Sequence, residues 1–134
     1  AGAGARVIIA ARRLRPGRAA ARISRGILVP FREAARRSHE ILLNATPVGS
    51  KGEALPVPAR ALKARLVGDM VYRRGGTPLV RAARERGLAA FGGEEVLLAQ
   101  AVEQFRLFTG RKAPEEVMRR ALLRALRPGR GGAG

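Results

Sequence analysis

The chain contains no cysteine, one histidine, no tryptophan, and aromatic residues at only 4% of its 134 positions. Without cysteine there can be no disulfide staple and no thiolate metal site. His39 alone cannot supply a zinc-ligand set or a Ser-His-Asp triad. No apolar run approaches ~18 residues, so no membrane-spanning helix is expected. The N-terminal residues lack the charged-then-apolar layout of a secretory signal, which makes a cytoplasmic protein the default expectation. With so few aromatics, the core has to come from Ala, Val, Leu and Ile, and hydrophobic residues at 46% are sufficient for one domain of this length.

Acidic residues are also scarce: 10 Asp and Glu face 27 Lys and Arg, for a net charge of +17. Such a balance ordinarily points towards nucleic acid. Only Lys51, Lys63 and Lys112 are lysines, however, and the arginines sit in a background of Ala, Gly and Pro that also fits a coding bias. No aromatic-rich strand accompanies them as a base-stacking platform. Nucleic acid is therefore not the expected partner beyond non-specific attraction to phosphate.

Short apolar strands alternate with helical patterns along the chain. Strands are expected at Arg6 to Ala11, Ile27 to Val29, Ile41 to Asn44, Leu66 to Met70 and Leu88 to Phe91. Pro16-Gly17 reads as a break, with a short helix from Arg18 to Arg25 ended by Gly26, and a second helix follows Pro30 to about Ser38. A further short helix is expected at Ala59 to Ala64. Thr77-Pro78 starts another, with Thr as N-cap and Pro at the first position, and Gly87 stops it. Glu94 to Phe108 has the longest helical pattern, and a last helix opens at Glu115-Glu116 with arginines towards its end, as the helix dipole favours. The composition of residues 127–134 (RPGRGGAG) reads as a disordered tail. This order predicts an α/β layered domain with a parallel sheet, whose ligands sit at the carboxyl ends of the strands.

Two constellations fall on that edge. The first is Ala11-Arg12-Arg13, with Arg15 nearby, at the end of the RVIIAA strand and with no acid close by. An acid at the corresponding strand end of a dinucleotide fold suits the free 2′-hydroxyl of NAD, whereas arginine suits the 2′-phosphate of NADP. The second is Asn44-Ala45-Thr46-Pro47-Val48-Gly49, where an apolar strand stops in polar and turn-forming residues. Asn44-Ala45-Thr46 is formally a glycosylation sequon, but nothing indicates secretion. Gly2 and Gly4 resemble the start of a G-x-G phosphate loop; with the RVIIAA strand beginning so soon after, there is no room for the helix such a loop must open. They read instead as a turn, so the first strand, glycine loop and first helix of a dinucleotide fold are not expected in this chain.

Taken in order, the NATPVG stretch, Asp69-Met70-Val71-Tyr72, Thr77-Pro78-Leu79, Gly93 with Gln100 seven residues on, and Phe108-Thr109-Gly110 resemble the C-terminal half of the shikimate dehydrogenase family. The likeness runs from about residue 4 to residue 126. It implies an incomplete Rossmann-like NADP-binding domain at 1–126, with C-terminal helices packing back on it. The implied reaction is NADPH-dependent reduction of 3-dehydroshikimate to shikimate in aromatic amino-acid (chorismate) biosynthesis. For cofactor contact the resemblance implies Arg12 and Arg13, Asn44, Ala45, Thr46, Val48, Met70 and Gly93, and for substrate contact Tyr72 and Gln100. Arg12 matches the family arginine; Ala11 and Arg13 depart from the family's Asn and Thr, Ser50 from a methionine, and Val96 from another.

The family's catalytic Lys-Asp pair belongs to an N-terminal lobe with no counterpart in this sequence. Tyr72 is the only candidate proton donor, and a phenol, with a pKa near ~10 in model peptides, is a poor unassisted acid. Gln100 in an otherwise apolar helical face suggests a buried amide with a partner. Asp69 is expected to bond backbone amides in the loop after its strand, and His39 to sit at the boundary without a chemical role. An exposed inner sheet edge would invite self-association. A non-catalytic nucleotide- or polyanion-binding domain is the alternative that these arginines leave open.

Overall fold

The computed structural model describes residues 4–73 and 75–126. Gly2, Arg74 and the expected tail at 127–134 lie outside the described residues. Five short strands alternate with helices: β1 (Ile8–Ala11), α1 (Leu14–Ser24), β2 (Ile27–Pro30), β3 (Ile41–Asn44), β4 (Leu66–Asp69), α2 (Pro78–Glu85), β5 (Ala89–Phe91), α3 (Gly93–Thr109) and α4 (Glu115–Ala125). All strand pairs are parallel, as the β-α alternation predicts. They form two sheets, β1-β2 and β3-β4-β5, so the edges of β1 and β3 that β2 and β4 do not cover carry no ladder among the described residues.

Helix α1 corrects the sequence expectation. It begins at Leu14 and runs through Pro16-Gly17 without a break. Pro16 falls in the first turn, where its missing N–H had no intrahelical acceptor to lose. Gly17 is buried, and a Cβ there would stand 2.8 Å from the Ala11 Cβ and 2.7 Å from a Leu28 methyl. Glycine lets α1 rest directly on β1 and β2. At the helix end the left-handed residue is Arg25 (φ 52°), not Gly26. Gly26 is needed one position later, because a Cβ would sit 2.6 Å from the Val7 carbonyl oxygen.

Two expected helices are 3-10 turns, at Phe31–Arg36 and Ala59–Ala61. The first is extended again by Arg37, since the chain must reach β3 at Ile41. Thr77 caps α2 as predicted, accepting from the Val80 amide at 3.4 Å, with Pro78 opening the helix and Gly87 beyond its end at φ +71°. Helix α3 starts one residue before the predicted Glu94, and Glu95 reaches back to accept from the Gly92 amide at 2.9 Å. Acids open α4 and Arg124 lies in its last turn.

Strand register explains where the core lies. Leu42, Val67 and Ala90 stand side by side on one face of the three-stranded sheet. That face packs on Val57, Leu62, Ala64, Leu79 and Ala83, with Ala34, Ala35, Leu55 and Leu88 around them. The alternate positions, Ile41-Leu66-Ala89 and Leu43-Gly68-Phe91, line the opposite face. There Ile41 is 62% and Leu43 53% exposed, so the β3 side of that face is uncovered among the described residues, whereas Leu66 and Phe91 are half-buried. Helices α3 and α4 pack on each other, and α3 meets the sheet region through its first turn. No helix among the described residues is long and apolar enough to cross a membrane.

Candidate functional site

The carboxyl ends of β3, β4 and β5 lie on one edge, and three segments meet there: residues 44–50, residues 69–72 and the start of α3. Asp69, the last residue of β4, is fully buried. Its Oδ1 accepts from the Asn44 side-chain amide at 2.9 Å and from the Val71 backbone amide at 3.0 Å. Its Oδ2 accepts from the Thr77 hydroxyl at 2.6 Å. Three donors on a carboxylate make a strong, directional set, and the expected bond to a loop amide is the Val71 contact.

Asn44 carries the network into the next loop. Its Nδ2 also donates to the Val48 carbonyl at 3.0 Å, and its Oδ1 accepts from the Thr46 amide at 3.0 Å and the Thr46 hydroxyl at 2.7 Å. The Val48 amide closes the turn by donating to the Thr46 Oγ1 at 3.3 Å. Gly49 follows at φ +91°, a left-handed backbone that favours glycine. Asn44 is 3% exposed, so it cannot serve as a glycan acceptor; the sequon is a buried turn anchor. Ala45 is exposed and Thr46 and Val48 are half-buried, which leaves the loop's outer surface open.

Beyond β4, Met70 and Tyr72 are both exposed, at 41% and 63%. Gly93 is buried against the same segment: its amide donates to the Val71 carbonyl at 3.3 Å. A Cβ on Gly93 would stand 2.7 Å from the Met70 carbonyl oxygen and 2.7 Å from the Tyr72 nitrogen. Glycine is what allows α3 to begin against the 70–72 backbone.

The structure thus brings Asn44, Ala45, Thr46, Val48, Met70, Tyr72 and Gly93 to one edge. Arg12 and Arg13 are exposed at the carboxyl end of β1, in the other sheet, and neither has a carboxylate partner among the described residues. Gln100 overturns the expectation of a buried amide. It is exposed and makes no hydrogen bond among the described residues. The buried side of α3 is the side of Leu98, which with Ala99 and Val102 faces Glu115 and Arg119 of α4 across an open cleft of about 340 Å³. Gln100 does lie two turns along from Gly93, so both project from nearly the same side of the helix. His39 is half-buried, its Nδ1 2.8 Å from the Arg37 carbonyl, in keeping with a boundary residue.

Sequence reasoning missed a charged tie on the outer side of this edge. Arg73 donates to the carbonyls of Gly49, at 3.3 Å, and Gly52, and to Glu53 at 2.9 Å. Arg81 donates to Glu53 and to the Gly76 carbonyl at 2.9 Å. Hydrogen bonding from Arg73 holds the Glu53 carboxyl below its usual range; desolvation, the next largest influence, acts the other way, and the Arg81 hydrogen bond and both positive charges reinforce the lowering. Glu53 and its two arginines are 20 and 28 residues apart, so no local pattern announces them. Among the described residues no three His, Cys, Asp or Glu side chains gather as a metal site.

A parallel α/β layer with polar loops at the carboxyl ends of its strands defines a Rossmann-like domain. Comparison with known proteins makes the assignment particular. The family described as the shikimate 5'-dehydrogenase C-terminal domain matches residues 93–123. A shikimate dehydrogenase (NADP(+)) from Streptococcus gordonii is 42% identical over 89 residues, which span 65% of this chain and 31% of that protein. One from Chlorobium chlorochromatii is 36% identical over 120 residues, 84% of this chain and 42% of that protein. The solved structure of shikimate 5-dehydrogenase from Thermus thermophilus, in complex with NADP(H) and shikimate, superposes with a TM-score of 0.78 at 31% identity, covering 92% of this chain and 48% of that one. Over most of its length the chain is similar to the C-terminal part of shikimate dehydrogenases. It spans less than half the length of these relatives.

Proposed function

We propose that this chain carries the cofactor side of a shikimate dehydrogenase and that the reaction it serves is NADPH-dependent reduction of 3-dehydroshikimate to shikimate. The observation that carries this reading is the Asn44-Asp69 network, which sets the 44–50 loop, Met70-Tyr72 and Gly93 on one edge.

NADPH, when bound, supplies the hydride. The residues fit that group: Ala45, Thr46 and Val48 present a fixed loop surface and Met70 an exposed apolar contact, while the buried Gly93 lets α3 begin beside them. Arg12 and Arg13, two cations without carboxylate partners among the described residues, would take the 2′-phosphate. Tyr72, exposed at the edge, and Gln100, exposed on α3 two turns along from Gly93, would hold the substrate's polar groups. Reduction of a ketone also needs a proton donor at its oxygen, and the family's Lys-Asp pair has no counterpart among these residues. The chain by itself is therefore expected to bind more readily than to turn over. Its sheet edges and the bare β3 side of its sheet face also support self-association of the isolated chain.

Titration of NADP and NAD against wild type and Arg12→Ala tests the cofactor reading. NADP is expected to bind wild type more tightly than NAD, with the difference lost in Arg12→Ala. Equal weak binding in all four combinations would remove Arg12 from the site. A shikimate- and NADP-dependent absorbance change on this chain alone would overturn the expectation of catalytic incompleteness.

A specific observation keeps one second reading in view. Between residues 4 and 37 the arginines face a single acid, Glu33, which favours a polyanion-binding surface. That reading requires affinity for phosphate polymers that falls steeply with salt and does not distinguish NADP from NAD.

A further inference from the structure

Asp69 is neither exposed to ligand nor placed to react, yet it bonds to the loop after β3, to the segment after β4 and to the cap of α2. Its carboxylate takes Asn44 from the β3 loop, Val71 from the segment leading to Tyr72, and Thr77 from the cap of α2. Asn44 in turn holds the Thr46 amide and hydroxyl and the Val48 carbonyl. A shift of Asp69 by a few tenths of an ångström would have to move both loops, because each is fixed to it through a short, directional bond inside a packed interior.

We propose that Asp69 is a positioning residue that couples the two ligand-facing loops, so that occupation of the 44–50 loop is transmitted to Val71 and Tyr72 through the buried carboxylate. The inference rests on the cofactor reading of that loop, but part of its test needs no ligand. Arg73, which also joins the two loops, does so from the outer rim through the Gly49 and Gly52 carbonyls, and is a separate tie.

Backbone amide signals of the full chain provide the test, in wild type, Asp69→Ala, Asp69→Asn and the core control Val67→Ala. Val67 is the fully buried neighbour two residues earlier on β4 and makes no bond to either loop through its side chain. In the ligand-free chain the Thr46 amide is linked to Asp69 only through Asn44. Its hydrogen exchange is expected to rise roughly three- to tenfold in Asp69→Ala, the scale of one lost hydrogen bond, and to stay near wild type in Val67→Ala. Asp69→Asn keeps an acceptor oxygen for Asn44 and Val71 and is expected to recover most of the protection.

On adding NADP, wild type is expected to show shifts at Thr46 and Val48 and, through the carboxylate, at Val71 and Tyr72. Asp69→Ala is expected to keep the first pair and lose the second. If Val67→Ala and Asp69→Ala lower thermal stability alike and leave Thr46 exchange equally unchanged, Asp69 is only a structural residue and the proposal falls. If NADP moves neither loop in wild type, the cofactor reading fails, while the ligand-free exchange still decides the role of Asp69.

Discussion

The Thr77 hydroxyl donates to Asp69 at 2.6 Å while its oxygen accepts from the Val80 amide at 3.4 Å, so one side chain both caps α2 and closes the buried carboxylate set. Thr77→Val keeps the shape and removes both bonds. It is expected to destabilise the chain by about 1–3 kcal/mol, the scale of a buried group left without its donor. Thr77→Ser, which retains the hydroxyl, is expected to stay within about 1 kcal/mol of wild type. Denaturant unfolding of the two variants checks this, and a loss in Thr77→Val no larger than that in Thr77→Ser would mean that the two hydroxyl bonds contribute no more than the methyl group.

Gly93→Ala would place a methyl 2.7 Å from the Met70 carbonyl oxygen and the Tyr72 nitrogen. Both neighbours are backbone and cannot swing aside. The variant is expected to cost about 1–3 kcal/mol by overpacking and to shift the Met70–Tyr72 amide signals more than those of α4. Unchanged signals at 70–72 would show that α3 can begin elsewhere.

Glu53 gives a pH-dependent contribution whose sign is fixed. Its folded carboxyl pKa lies below the ordinary value of 4.5, chiefly through the Arg73 hydrogen bond. The stabilisation is therefore fully present above about pH 4.5 and is lost as pH falls through the lowered folded value. Melting temperatures of wild type and Glu53→Gln are expected to differ near neutrality and to converge in acid. Curves that stay parallel would show that Glu53 does not contribute in this way. The side chain is 65% exposed, so salt should shrink the difference.

The bare β3 side of the three-stranded sheet makes a prediction about association. Ile41 and Leu43 stand exposed beside the edge of β3 that carries no ladder among the described residues. Leu43→Lys is expected to lower any self-association seen by sedimentation while leaving the melting temperature nearly unchanged. Association undiminished by this change would place the contact elsewhere, with the exposed Leu107 and Phe108 of α3 the next residues to alter.

What could be read from the sequence was local chemistry. Thr77-Pro78 and Gly87 bound α2 because a cap and a left-handed stop are decided within one turn. Ile41 to Asn44 and Leu66 to Met70 read as strands, the second ending at Asp69 in the structure, because short apolar runs between turn residues have few other uses. The order of fragments around NATPVG led to the family for the same reason.

The misreadings came from what packs against what. Pro16-Gly17 has the look of a break and is in fact the place where α1 approaches Ala11 and Leu28. Gln100 reads as a buried amide only if something covers that side of α3, which the described residues do not do. The Glu53-Arg73-Arg81 tie and the Asp69-Thr77 bond join residues that no periodicity relates.

The division into two sheets implies two different lifetimes within one chain. The β1-α1-β2 unit has Gly17, Ala21 and Val29 as its buried residues, whereas β3, β4 and α2 close around Val67, Leu79 and Ala83. Local opening follows the density of buried contacts, so the first unit is expected to exchange its amide protons and admit proteases while the second remains shut. Arg12 and Arg13 ride on the part that opens first. A bound 2′-phosphate would then act on this chain less as a passenger than as a clasp, slowing the opening of the segment that holds it.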